Sequence, residues 1–337
     1  MLKSFLKPIA IILSALIISG FIGGALIYKG RADKTDNSEG TVDATLSSIS
    51  TDKAVERPAC VLIIGKDKTS GLADVIMLAS LDKSSKRACI LQIPRDTYAD
   101  YGGSYYKLNG ALKTLGEEGM CDFLENAMGI EIDGYISLEL DGFCALVDSI
   151  GGVNINVPSR LKYSDPEQNL YIDLQAGEQT LNGKQSEMLI RYRSGYARGD
   201  LDRLDMQKRF LAAFFLQLKE KITLFNVYSV ASTALPYLKT DISAASLVSF
   251  ALNVVALDSS DISIATLSGE DAISSISGGS FYVVSAPSAS ELLIKYFGAE
   301  EGEFDKESRF LHPSLDSFKK IYQKRVESKV FLANELK

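Results

Sequence analysis

The chain has 337 residues, 46% hydrophobic and 23% charged, which suits a globular protein of one large or two modest domains. Its net charge of −7 argues against a general nucleic-acid binder, which needs a broad basic face. The one histidine, His312, leaves no His/Cys metal cluster and argues against a Ser-His-Asp hydrolase.

In chain order, the first element is a run of twenty uncharged residues from Ile9 to Tyr28. As a helix it is long enough to span a hydrocarbon core of about 30 Å. Small residues near its end (Ser19, Gly20, Gly23) also suit a cleaved signal peptide, but the run exceeds a usual signal core and no clear A-x-A site follows. The expected order is a short cytoplasmic tail (1–7), a transmembrane anchor (8–29) and a flexible stalk (30–58) rich in Ser, Thr, Asp and Lys. Lys3 and Lys7 are offset by Lys29, Arg31 and Lys34, so orientation rests on the shortness of the tail rather than on the charge rule.

From Ala59 the pattern changes to short apolar runs alternating with helical periods. ACVLIIG, DVIMLASL, ACILQI, YISLEL, VNINV, DISIATL and FYVVS read as strands, several apolar throughout, as in a sheet covered on both faces. Helices are predicted over Ala111–Met128 (interrupted by Gly116 and Gly119), Asp141–Ile150, Asn182–Arg193, Asp202–Ile222, Ala244–Leu257 and Ser288–Phe297. Residues 59–298 therefore read as one α/β domain with a central mixed β-sheet flanked by helices. The charged tail, 299–337, is expected to be helical in part, over Leu315–Ala333. Cys60 and Cys89 lie in apolar runs where cysteine behaves as a small hydrophobe, so free buried thiols are expected, although an extracytoplasmic domain also permits one or two disulfides.

Three clusters place charge where apolar strands or helices end. In IIGKDKTSGLADVIML, Asp67 and Asp74 flank a loop between two strands and could share a hard cation such as Mg2+; the same spacing suits turn and loop-capping aspartates. In LQIPRDTY, Pro94 pins the backbone after a strand, and Arg95 offers a bidentate fork for phosphate with Asp96 to orient it; a local surface ion pair is the plainer alternative. The run LIRYRSGYARGDLDRLDMQKRF gathers six cations in nineteen residues beside a helix start, which equips an acidic protein to hold an anion. Arg203 and Gln207 share a face there, four residues apart. A helix laced with salt bridges would show similar charge.

These segments together resemble the LytR–CpsA–Psr family of Gram-positive cell-wall proteins, over about Ala59 to Gly298. The resemblance is carried in order by ADVIMLAS, IPRDTY, KLNGA at Lys107–Ala111, DGFCALVDSIGGVNINVP, LQAGEQTLNGKQSEMLIRYR and DLDRLDMQ. It implies a membrane-anchored, extracytoplasmic phosphotransferase that moves an anionic glycopolymer, of teichoic acid or capsular polysaccharide type, from a polyprenyl-pyrophosphate carrier to peptidoglycan. It also implies arginines on the pyrophosphate, aspartates on Mg2+ and an apolar tunnel for the lipid. By position, the pyrophosphate ligands would be Lys68, Arg95, Arg191, Arg193, Arg203 and Gln207, and the metal ligands Asp67 and Asp74. Arg95, Asp96 and Arg203 would be catalytic. This chain departs from the family pattern at Lys68, at Leu72-Ala73 and at Met206, each standing where the family has an arginine. Lysine supplies charge without a planar fork, and methionine supplies neither. Two other classes share these residues: a non-catalytic polyprenyl-phosphate-binding or regulatory envelope protein, and a pyrophosphatase acting on the same lipid with water.

Overall fold

The computed structural model describes residues 57–66, 70–102, 106–166, 170–196, 200–221, 233, 235–243, 246, 250, 253–254, 257–274, 277–302, 304, 310, 318–321, 330–333 and 335. The expected tail, anchor and most of the stalk lie outside them, as do Asp67, Lys68 and much of Ala244–Leu257. Among the described residues no helix is long and apolar enough to cross a membrane.

The first three apolar runs form an antiparallel meander: β1 (Ala59–Lys66), β2 (Ala73–Asp82) and β3 (Arg87–Gln92). A two-residue pair, β4 (Tyr98–Ala99) and β5 (Tyr106–Lys107), leads into α1 (Ala111–Met128). Gly116 sits in α1 at φ 75°, ψ −177°, so the predicted interruption is a kink there, while Gly119 continues the helix. β6 (Tyr135–Glu139) then pairs parallel with β1 and runs straight into α2 (Leu140–Ser149).

Next come β7 (Val153–Val157), the hairpin β8 (Leu161–Asp165) and β9 (Leu170–Leu174), and β10 (Gly177–Leu181), which returns antiparallel to β7. Two helices follow, α3 (Gly183–Arg191) and α4 (Asp200–Lys221). The remaining elements are β11 (Leu238–Thr240), β12 (Ile262–Thr266), β13 (Gly269–Ser274), β14 (Ser280–Val284), α5 (Ala286–Phe297), β15 (Phe318–Ile321) and β16 (Phe331–Leu332).

Seven strands make the central sheet in the order β11-β6-β1-β2-β3-β12-β16. The β1–β6 and β3–β12 pairs are parallel and the others antiparallel, so the sheet is mixed, as expected. Alternating side chains feed both faces. On one, Cys60, Leu62, Ile64, Leu78 and Leu91 pack with Phe123 and Leu124 of α1 and Leu293 and Phe297 of α5. On the other, Leu81, Ala88 and Ile264 meet Ala212 and Phe215 of α4.

α4 serves two cores. Its N-terminal half carries Met206 and Phe210 into a second apolar cluster built from α2, α3 and β7–β10, including Val147, Val153, Leu174 and Leu189. Polar ties accompany the packing: buried Gln217 accepts from the Asn154 amide at 2.8 Å. α2 and α3 approach so closely that a Cβ on Gly183 would lie 2.2 Å from the Cys144 carbonyl oxygen, so this position requires glycine.

Within Leu315–Ala333, expected to be helical, the described segments 318–321 and 331–332 are strands instead: β15 pairs with β13, and β16 pairs with β12 at the edge of the central sheet. Edge strands expose unpaired backbone groups, and these segments satisfy them. Apolar side chains hold the tail as well, with Phe304, Phe310 and Ala333 at most 1% exposed. Phe310 packs edge-on against Phe123 of α1. Phe310→Ala should therefore destabilise the chain by about 3–5 kcal/mol. Chemical denaturation is the check, and a loss below about 1 kcal/mol would show that the tail does not share the main core.

Candidate functional site

The Pro94–Tyr98 turn starts where β3 ends. Pro94 cannot extend the ladder, and its carbonyl accepts from both the amide (3.0 Å) and the hydroxyl (2.6 Å) of Thr97, which closes the turn. Neighbouring segments then clamp its carbonyls. Asn109 donates its amide to Arg95 O at 3.0 Å, Leu108 to Thr97 O at 2.8 Å, and Tyr282 of β14 to Asp96 O at 2.9 Å. The KLNGA motif is thus half of a backbone vice.

Held this way, the two charges of the turn point to separate partners. Arg95 Nη1 lies 2.5 Å from Asp74 Oδ1, near the start of β2, and Asp96 Oδ1 lies 3.2 Å from Lys107 Nζ. Arg95 Nε is buried with no hydrogen-bond partner. A buried orphan donor costs about 1–3 kcal/mol, and an anionic oxygen would relieve it.

The second group lies where α3 ends and α4 begins. Asn182 and Gln185 form a reciprocal capping box that fixes the start of α3. The helix stops at Arg191, two residues before its predicted end, because Tyr192 turns extended (φ −64°, ψ 132°). Arg191 Nη1 pairs at 2.9 Å with Glu187 Oε1, one turn back. Glu187 is buried and also receives Lys184 Nζ at 2.6 Å and the Cys144 thiol at 3.8 Å.

On α4, Arg203 and Gln207 are both buried, one turn apart, as their spacing predicts. Gln207 Nε2 donates to Ile190 O at 3.0 Å, so it locks the helix beside Arg191. Met206 points into the second core, and Arg209 is exposed.

A cavity of about 150 Å³ lies between the clamped turn and the α3–α4 junction. Asp96 and exposed Arg193 both line it, as does Leu204, the residue after Arg203. The structure therefore places Asp96 and Arg193 on one cavity, pairs Arg95 with Asp74, and ties Gln207 to the end of α3. Arg95, Asp74, Arg191, Arg203 and Gln207 are not in the cavity wall, and Asp67, Lys68 and Arg198 lie outside the described residues. Asp271 and Ser280 complete the wall, contributed by β13 and β14, and no local motif announces them. Glu187 did leave a sequence signal: an acidic residue inside an apolar helical period, four before an arginine.

Among the described residues no group of three or more His, Cys, Asp or Glu could hold a metal. Mg2+ needs less from a protein, since it commonly takes one or two carboxylates and fills its shell with water and phosphate oxygens. Asp74, 35% exposed beside Arg95, and Asp96 are oxygen donors that fit that chemistry.

Comparison with known proteins gives consistent matches. The model of the LytR_cpsA_psr family matches residues 25–296. A Bacillus subtilis relative, "Polyisoprenyl-teichoic acid--peptidoglycan teichoic acid transferase TagV", is 28% identical over 254 residues, which cover 71% of this chain and 65% of that protein's length. The crystal structure of B. subtilis TagV superposes with a TM-score of 0.60 at 24% identity, covering 74% of this chain and 98% of that one. Protein gbs0355 from Streptococcus agalactiae gives 0.64 at 18% identity, covering 82% and 93%. These likenesses show the fold.

All four cysteines are free, and Cys60, Cys89 and Cys121 are buried. Burial, and then the Glu187 carboxylate, push the Cys144 thiol up to about 11. Raising a thiol's pKa lowers its thiolate fraction at any pH below that value. Cys144 in the native chain should therefore react with a disulfide reagent at pH 8 at least about tenfold more slowly than in denatured chain. Equal rates in the two states would contradict this environment.

Proposed function

The chain belongs to the LytR–CpsA–Psr family, and on that premise we propose that it transfers an anionic glycopolymer from a polyprenyl-pyrophosphate carrier to peptidoglycan. The polymer would be of teichoic acid or capsular polysaccharide type, in keeping with relatives named for teichoic acid transfer. The run from Ile9 to Tyr28 anchors the chain in the cell membrane, with the folded domain on the extracytoplasmic side.

The observation that carries this reading is the clamped turn, where Arg95 is braced by Asp74 and still holds a buried Nε without an acceptor. A guanidinium braced by Asp74, on a turn whose backbone is clamped from both sides, needs little reorganisation to grip a pyrophosphate oxygen. Arg203 and Gln207, buried one turn apart on α4, and Arg191, held by Glu187, supply a second set of donors. Since Met206 is turned into the core, the clamp relies on these residues with Lys68, while Arg193 faces the cavity beside Asp96. The apolar surface of α2 and α4, with Phe143, Leu146 and Phe214 half-buried, is the wall against which an isoprenoid would lie.

In the reaction, a sugar hydroxyl of peptidoglycan attacks the phosphorus that bears the glycopolymer. A new O–P bond forms, and the bond from that phosphorus to the bridging oxygen breaks, so polyprenyl phosphate leaves with the bonding pair. Asp96 takes the hydroxyl proton, and the arginines hold the non-bridging and leaving oxygens in line. Asp74, with Asp67, would hold Mg2+, which when bound neutralises charge on the pyrophosphate oxygens.

Arg95→Ala and Arg203→Ala should each lower transfer by about 100-fold or more, with a cooperative thermal transition retained. Full transfer in both purified variants would defeat the assignment. Polyprenyl phosphate or pyrophosphate should copurify with the chain and be detected by mass spectrometry. Chelation should stop transfer, and added Mg2+ should restore it. Turnover that persists unchanged in excess chelator would remove the metal from the mechanism.

A further inference from the structure

Resting on the reaction proposed above, we infer that the cavity beside Asp96 holds the single neutral sugar ring that presents the attacking hydroxyl. Its volume of about 150 Å³ suits one ring, since a cavity of about that size admits benzene. The wall has two chemical characters. Pro94, Leu204 and Tyr282 are apolar surfaces, while Asp96, Arg193, Asp271 and Ser280 are hydrogen-bonding groups. A pyranose has the matching division: C–H faces that pack on apolar walls, and a rim of hydroxyls that donate to carboxylates.

Charge points the same way. Two carboxylates and one guanidinium line the cavity, and Lys107 Nζ, 3.2 Å from Asp96, adds a second cation, so the charges balance and suit a neutral polyol. The donor's charge is met instead at Arg95, whose guanidinium is paired with Asp74 and takes no part in the cavity wall.

The cavity is also built by one face of a hairpin. Asp271 lies directly across from Tyr282 in the β13–β14 register, and Ser280 is two residues before Tyr282, so all three project to the same side. Tyr282 is fixed at both ends: its hydroxyl donates to Leu267 O at 2.8 Å, and its amide donates to Asp96 O at 2.9 Å. The small β13–β14–β15 sheet thereby sets its ring-binding face against the carboxylate that takes the proton. A ring in this place puts a hydroxyl beside Asp96 while Arg95, the preceding residue, holds the phosphate.

The test uses the full chain in detergent micelles, with Asp271→Asn and Ser280→Ala, both at exposed positions outside the phosphate machinery. Chitotetraose, a neutral N-acetylglucosamine oligomer, is titrated into each protein. Loss of a hydrogen bond to a charged group should weaken binding about tenfold or more in Asp271→Asn. Acceptor KM should rise in parallel, with kcat within about twofold and the copurifying lipid unchanged. Unaltered chitotetraose binding in both variants overturns the assignment. Transfer with an unaltered acceptor KM in both variants overturns it too, and leaves the reaction standing. Displacement of chitotetraose by the lipid-linked donor alone would put the donor's own ring in the cavity, against the acceptor assignment. Binding that Asp271→Asn weakens, in a chain that transfers nothing, would support the cavity as a glycan site and overturn the reaction.

Discussion

Backbone hydrogen bonds from two distant segments hold the turn at Arg95 and Asp96, and the rest of the site is arranged around that clamp. Asn109 and Leu108 grip it from the α1 side, and Tyr282 grips it from β14. Because the grip is on carbonyls, it leaves both side chains available for electrostatic work. Asp74 braces the arginine and Lys107 braces the aspartate, so opposite charges sit side by side without collapsing onto each other. This is preorganisation in a concrete form: donors and a carboxylate kept in place by bonds that ligand binding does not break.

α4 is the second organising element. One stretch of it seals a face of the central sheet through Ala212 and Phe215, and another enters the subsidiary core through Met206 and Phe210. Arg203 and Gln207 lie one turn apart on the same helix, and both are buried. Gln207 then reads the end of α3 directly, through Ile190 O. Moving α4 would disturb a sheet, a core and the cationic group together.

Much of the architecture was legible along the chain. Apolar runs such as ACVLIIG and ACILQI gave β1 and β3, and the helical period over Ala111–Met128 gave α1 with its kink at Gly116. Exposed alternating segments were harder to see: β8, β9 and β10 carry many polar residues because one face is solvated, and their period of two is masked by turns. The tail was read as partly helical because its charges mimic an exposed helix, whereas the edges of two sheets recruit its described segments as strands. Local propensity cannot register an open edge elsewhere in the fold.

The sequence by itself determined which residues could do chemistry: an Arg-Asp pair after a proline, an aspartate opening β2, and cations crowded where one helix ends and the next begins. Spacing within single elements carried that information, including the shared face of Arg203 and Gln207. Only the tertiary structure decided the partners. That Arg95 meets Asp74, that Glu187 restrains Arg191, and that Asp271 and Ser280 face Asp96 across a cavity are facts about segments 21, 4 and more than 170 residues apart. Even the four-residue Glu187–Arg191 pair needed the buried setting of α2 against α3 to acquire its meaning. Contacts between remote segments depend on how sheets and helices pack, and packing is a property of the whole chain.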